Sequence, residues 1–171
     1  MFSLWVFALP HIRMTLEVDE LVAIKWIGIG LALVAGLGAV INLIRSQCDE
    51  GHRKARYHAA YLLCGGIGLL RIASAHDLIH LMTGYGLLSI AWASISSTPY
   101  ALVSERVTDG SYDRTMARFN LSVVIPQIVL ALSLGWLMVR LPPASAIQYG
   151  GYAMLAAAAI MLVLMRTGYR D

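Results

Sequence analysis

Charge is scarce in this chain: 13% of its 171 residues are Asp, Glu, Lys or Arg, against 58% apolar, and the mean hydropathy is +0.69. Too little polar surface remains to cover a soluble globule of this length. Cysteine is scarce too. Cys48 falls in a loop and Cys64 inside an apolar run, so the two cannot easily meet and no disulfide is expected. No low-complexity segment and no linker divides the chain, which reads as one domain over residues 1–171. No basic patch is interleaved with aromatics, which argues against nucleic acid. No nucleophile has an intramembrane base and no two carboxylates share a face, so no enzyme and no cofactor is expected.

What is present is a series of apolar runs of roughly 17 to 25 residues, the length a helix needs to cross a bilayer. They span about Leu21–Ile44, Tyr57–Ala73, Leu78–Val103, Phe119–Val139 and Ala146–Met165. The expected fold is all-α, a polytopic transmembrane bundle of about five helices plus a partial N-terminal one, with short loops that make sequential helices antiparallel neighbours. Met1–Pro10 is too short to cross and lacks the basic start and cleavage site of a secretory signal, so it reads as the end of a helix.

Basic residues fall in alternate loops. Arg45, Arg53, Lys54, Arg56, Arg106, Arg114, Arg118, Arg166 and Arg170 lie on one side, and only Arg13, Lys25, Arg71 and Arg140 near the other. The positive-inside rule makes the first side, with the C-terminus, cytoplasmic. Lys25, one turn into a span, snorkels outward. His52 and His58 flank a basic loop and are expected in water.

Two spans are interrupted by proline, each leaving a carbonyl four residues upstream without its donor. Around Pro99, helical spacing puts Tyr85, Ser89, Trp92 and Ser96 on one stripe and Ser94, Ser97 and Thr98 on another. Both cannot face lipid. Serine and threonine often bond only the carbonyl a turn back, yet Trp92 beside Pro99 also suits a cavity wall. In the next span Asn120 and Gln127 share a face, with Pro126 opening the ladder to Ser122. Buried amides demand partners, so this face meets another helix or water.

Other features read as structural. His76 and His80 have metal-ligand spacing, with Asp77 between them, but lack a convincing third ligand, so no metal is expected. Gly28, Gly30, Gly36, Gly38, Gly65, Gly66 and Gly68 suit close helix contact, because no strand precedes them to build a nucleotide loop.

The run Trp92-Ala93-Ser94-Ile95-Ser96-Ser97-Thr98-Pro99-Tyr100-Ala101-Leu102-Val103-Ser104, followed by Phe119-Asn120-Leu121-Ser122-Val123-Val124-Ile125-Pro126-Gln127, resembles the tenth and eleventh helices of sucrose-type sugar transporters. These are a branch of the major facilitator superfamily near the glycoside, pentoside and hexuronide symporters. The loop Gly51-His52-Arg53-Lys54-Ala55-Arg56 resembles the one after the eighth helix there. The resemblance covers nearly the whole chain and implies most of a C-terminal half, with an N-terminal six-helix half as the missing partner. Ala117 and Arg118 depart from it, since relatives often have glycine and an apolar residue there.

The resemblance implies proton-coupled symport of a sugar or related small solute in a bacterial inner membrane. Its substrate-binding residues would be Trp92, Ser96, Thr98, Asn120 and Gln127, with Trp92 stacking on a sugar face and the amides bonding hydroxyls. The charged residues that couple protons in such relatives belong to the other half and have no counterpart here. The alternative is a non-transporting membrane scaffold or regulator, or an inactive relic.

Overall fold

A computed structural model describes residues 2–47, 53–105, 107 and 112–166. Cys48, His52, Arg106 and Arg170, which entered the expectations above, lie outside the described residues. Among the described residues seven helices follow in order: α1 Phe2–Leu16, α2 Glu20–Ser46, α3 Lys54–Ala73, α4 Leu78–Ile95, α5 Thr98–Ser104, α6 Tyr112–Arg140 and α7 Pro143–Arg166.

Local chemistry sets several boundaries. Glu17 adopts φ 52°, a left-handed turn that ends α1, and Asp19 then caps α2 by accepting a hydrogen bond from Val22 N at 2.9 Å. Asp77 caps α4 in the same way, accepting from His80 N at 2.7 Å. That hydrogen bond, with the neighbouring imidazoles, holds the Asp77 carboxyl below its ordinary value of 3.8. Pro143 opens α7, where a missing N–H costs nothing.

The run expected as one span over Leu78–Val103 is broken. Pro99 has no N–H to offer the carbonyl of Ile95, and its ring crowds that carbonyl, so α4 stops at Ile95 and the chain restarts as α5 at Thr98. Pro126, by contrast, sits within an unbroken α6.

Among the described residues four segments are long and apolar enough to cross a membrane: α2, α4 with α5, α6 as far as Ser133, and α7. The described residues are all-helical, which fits the expected helical bundle with four such segments in place of five. The expected span at Tyr57–Ala73 is the helix α3, but Lys54, Arg56, His58 and Arg71 leave it less apolar than the others. It is nonetheless enclosed by protein, packed between α4 and α7. Gly66 lies against Gly151 of α7, where an added Cβ would stand 3.1 Å from the Gly151 carbonyl. Gly68 lies against Gly84 of α4, where the corresponding distance is 2.8 Å. Two faces without side chains let two backbones approach α3, which is how helices gain contact energy when lipid offers no hydrophobic drive.

The packing order bears out the expectation that sequential helices are neighbours for α3 with α4 and α1 with α2, and corrects it elsewhere. α2 lies mainly against α4, α4 against α3, α3 against α7, and α1 closes the ring by touching both α7 and α2. α2 takes α4 because its glycines admit aromatic rings: Gly30 receives Tyr85, and Gly38 receives the edge of Trp92. Gly28 and Gly36, on other faces of α2, have open space beside them. The core of the ring holds Phe7, Ile12, Leu69, Ile72, Leu81, Tyr85, Leu88 and Ile147. α6 stands outside it, joined to α5 by the edge-on contact of Phe119 with Tyr100 at 4.9 Å.

Candidate functional site at the break in the fourth helix

The break between α4 and α5 is held by side chains from four helices. Ser94, on the last turn of α4, and Thr98, at the start of α5, are both buried, with their hydroxyl oxygens 3.0 Å apart. Arg45 of α2 donates through Nη2 to Thr98 Oγ1 at 2.9 Å, and its guanidinium lies over the Tyr61 ring of α3, 5.1 Å from the centroid. His58 of α3 places Nδ1 2.7 Å from Ser94 Oγ. On the exposed side of the break, Ser97 donates to the Ala93 carbonyl at 2.8 Å and to Asn42 Oδ1 at 3.3 Å.

These groups form one directed chain. With a bare Nδ1 on His58, donation runs from Arg45 to Thr98, from Thr98 to Ser94 and from Ser94 to the imidazole. With a proton on Nδ1, the imidazole donates to Ser94, Ser94 turns its hydrogen toward Thr98, and Thr98 must send its own elsewhere. The imidazole at one end thus dictates, through the hydroxyls of Ser94 and Thr98, the hydrogen-bond polarity at the helix break. Buried networks of this kind hold one arrangement when satisfied and are costly when not.

The five residues expected to bind substrate do not share one pocket. Thr98 is 2% exposed and committed to Arg45 and Ser94. Trp92 is 37% exposed and lies across Gly38 of α2. Ser96 is exposed and its hydroxyl donates back to the Ala93 carbonyl at 3.2 Å, the local bond that short hydroxylated side chains often make in helices. Asn120 is exposed on α6. Gln127 lies with Pro126 on the wall of a cavity of about 590 Å³ between α6, α7, α3 and α1, lined also by Phe7, Leu62, Tyr149 and Met154. That volume suits a small ligand, and among the five only Gln127 reaches it.

Sequence reasoning missed Arg45, His58 and His11. It placed His58 in water, whereas the side chain is half-buried and bonded. The signal was there: His58, Leu62, Gly65, Leu69 and Ile72 recur at three- and four-residue spacing, the inward stripe of α3. His11 is buried, with Nε2 2.8 Å from the Ile72 carbonyl, so it pins α1 to the last turn of α3. Tyr85 is fully buried, and its hydroxyl has no hydrogen-bond partner among the described residues.

Comparison with protein-family models, with curated proteins and with solved structures gives no match.

Proposed function

We propose that this chain is the C-terminal half of an alternating-access transporter that carries a sugar or related small solute with protons. The observation that carries this reading is the break between α4 and α5 within a membrane-crossing segment. In hydrocarbon a non-helical link persists only where it is buried in protein or lines a cavity, and transporters use such interrupted helices at their binding sites. The polar network beneath the link and, in the cavity between α6, α7, α3 and α1, the amide of Gln127 are the hydrogen-bonding groups available to a hydroxylated solute. The resemblance of Trp92–Ser104 and Phe119–Gln127 to sucrose-type symporters supports the same assignment. In this reading Gln127 meets the solute from the cavity wall and Thr98 holds the break through Arg45 and Ser94, while Trp92, Ser96 and Asn120, which lie outside that cavity, are assigned to the solute by the resemblance alone.

The missing partner is an N-terminal six-helix half, for which α6 is the natural contact. Leu121, Val124, Ile125, Ile128 and Leu132 are all exposed on it. In this reading the chain is multi-pass in a bacterial inner membrane with its C-terminus in the cytoplasm, an orientation that the bias of basic residues supports. The same uncovered α6 favours a second reading, a non-transporting scaffold that assembles with other helices, or a relic of a transporter.

Expression in a transport-deficient bacterium, with and without the N-terminal half of a sucrose-type relative, decides between them. Proton-dependent uptake of labelled disaccharide is expected only with both halves, and alanine at Trp92, Asn120 or Gln127 should lower it. An inserted protein that gives no uptake with either partner state leaves the scaffold or the relic.

A further inference from the structure

At the end of the bundle opposite the α4–α5 break, the turn between α3 and α4 gathers three side chains with metal-ligating atoms. His76 Nε2 and His80 Nδ1 each lie 3.3 Å from the same carboxylate oxygen, Oδ2 of Asp77. The two imidazoles lie with centroids 4.2 Å apart and planes tilted by 47°, and the three ligand atoms lie within 4.8 Å of one another. The sequence alone shows two histidines one turn apart. The fold shows that the intervening Asp77 can serve as the third ligand, because the turn before α4 brings its Oδ2 to both imidazoles.

The spacing has a direct metal counterpart. A tetrahedral Zn²⁺ with Zn–N and Zn–O bonds of about 2.0–2.2 Å separates its ligand atoms by about 3.3–3.5 Å. Two of the three edges here already have that length. The carboxylate is also held in place, because its other oxygen, Oδ1, accepts the hydrogen bond from His80 N at 2.7 Å. Fixing a ligand from outside the metal shell in this way favours binding. Two imidazoles with one carboxylate suit Zn²⁺ and its late transition-metal neighbours, whereas Mg²⁺ and Ca²⁺ require oxygen ligands throughout. The positive end of the α4 dipole opposes a cation here, and the Asp77 charge offsets it.

We propose that His76, Asp77 and His80 form a Zn²⁺ site with an open fourth position turned to solvent. His76 is the most exposed of the three, so water or a small external ligand completes the tetrahedron. A bound ion ties the connecting turn to the first turn of α4 and stiffens the end of that helix remote from its break.

The test uses the full chain, purified in detergent with any affinity tag removed. Calorimetric titration with Zn²⁺ should give one ion per chain and none with Mg²⁺, and Co²⁺ in its place should show the visible absorption of a tetrahedral nitrogen–oxygen site. His80→Ala and Asp77→Asn should each weaken Zn²⁺ by about tenfold or more. Asparagine retains the helix cap, and unchanged helical circular dichroism confirms that this variant still folds. Absence of stoichiometric binding, affinity unchanged in both variants, or a thiolate–cobalt charge-transfer band placing the metal on cysteine would each overturn the proposal.

Discussion

The Nδ1 atom of His58 lies 2.7 Å from the hydroxyl of Ser94, joining α3 to the last turn of α4 just before its break. If this contact holds the junction, its loss should be felt once. Ser94→Ala and His58→Ala should each lower the midpoint of thermal unfolding in detergent by roughly 2–4 °C, the shift expected for about 1 kcal/mol in a chain of this size. The double variant should lose clearly less than the sum, because the second change removes a partner already missing. Full additivity would show that the two side chains act independently.

Tyr85 gives the opposite expectation. Its ring fills the groove over Gly30, and its hydroxyl is buried with no partner among the described residues. Tyr85→Phe keeps the ring and removes a group that costs about 1–3 kcal/mol when left unsatisfied. The variant should unfold at the same temperature as the parent or higher. A lower midpoint would mean that the phenol has found a bound water or another partner.

Two glycines of α2 separate packing from helix propensity. An added Cβ at Gly30 would stand 2.5 Å from the Tyr85 ring, while at Gly28 it would meet nothing within 4 Å. Gly30→Ala should destabilise by about 1–3 kcal/mol through overpacking. Gly28→Ala should be neutral or stabilising by up to about 1 kcal/mol, since alanine is the better helix former. Equal effects of the two changes on thermal unfolding would contradict the α2–α4 interface described above.

Asp77 caps α4, and the hydrogen bond from His80 N keeps its carboxyl below the ordinary aspartate value of 3.8. A carboxylate with a depressed folded value contributes stability above its unfolded value and loses it as the pH falls through the lower folded one. With a chelator present to remove metal ions, Asp77→Ala should lower thermal stability at neutral pH and should flatten the fall in stability below about pH 4 relative to the parent. Parallel pH profiles for the two proteins would show that the cap carries no such charge-dependent part.

Much of the architecture is legible from composition and run length. Apolar stretches of bilayer length can only be helices, because hydrocarbon offers no partner for an unpaired backbone group. The charges that bound those stretches mark their ends. Pro99 and Pro126 both lack the N–H and crowd a carbonyl one turn back, yet only Pro99 ends a helix while α6 runs through Pro126, so the local rule marks candidate breaks without choosing between them. The partners of each helix are a different matter. Glycine stripes show that α2 and α3 can be approached closely, yet not by which helix: only the assembled ring shows Gly30 taking Tyr85, Gly68 taking Gly84 and Gly66 taking Gly151. The same holds for the candidate site. His58 and Arg45 look like members of a solvated basic loop, and only α3 and α2 arriving together beside Ser94 and Thr98 turn them into one hydrogen-bonded chain. The sequence by itself determined apolar helices of bilayer length, because backbone hydrogen bonding and bilayer thickness act on each segment alone. Which polar side chains meet was decided by the tertiary structure, because side-chain hydrogen bonds reach about 3 Å and depend on which backbones pack close enough to bring distant residues within that distance.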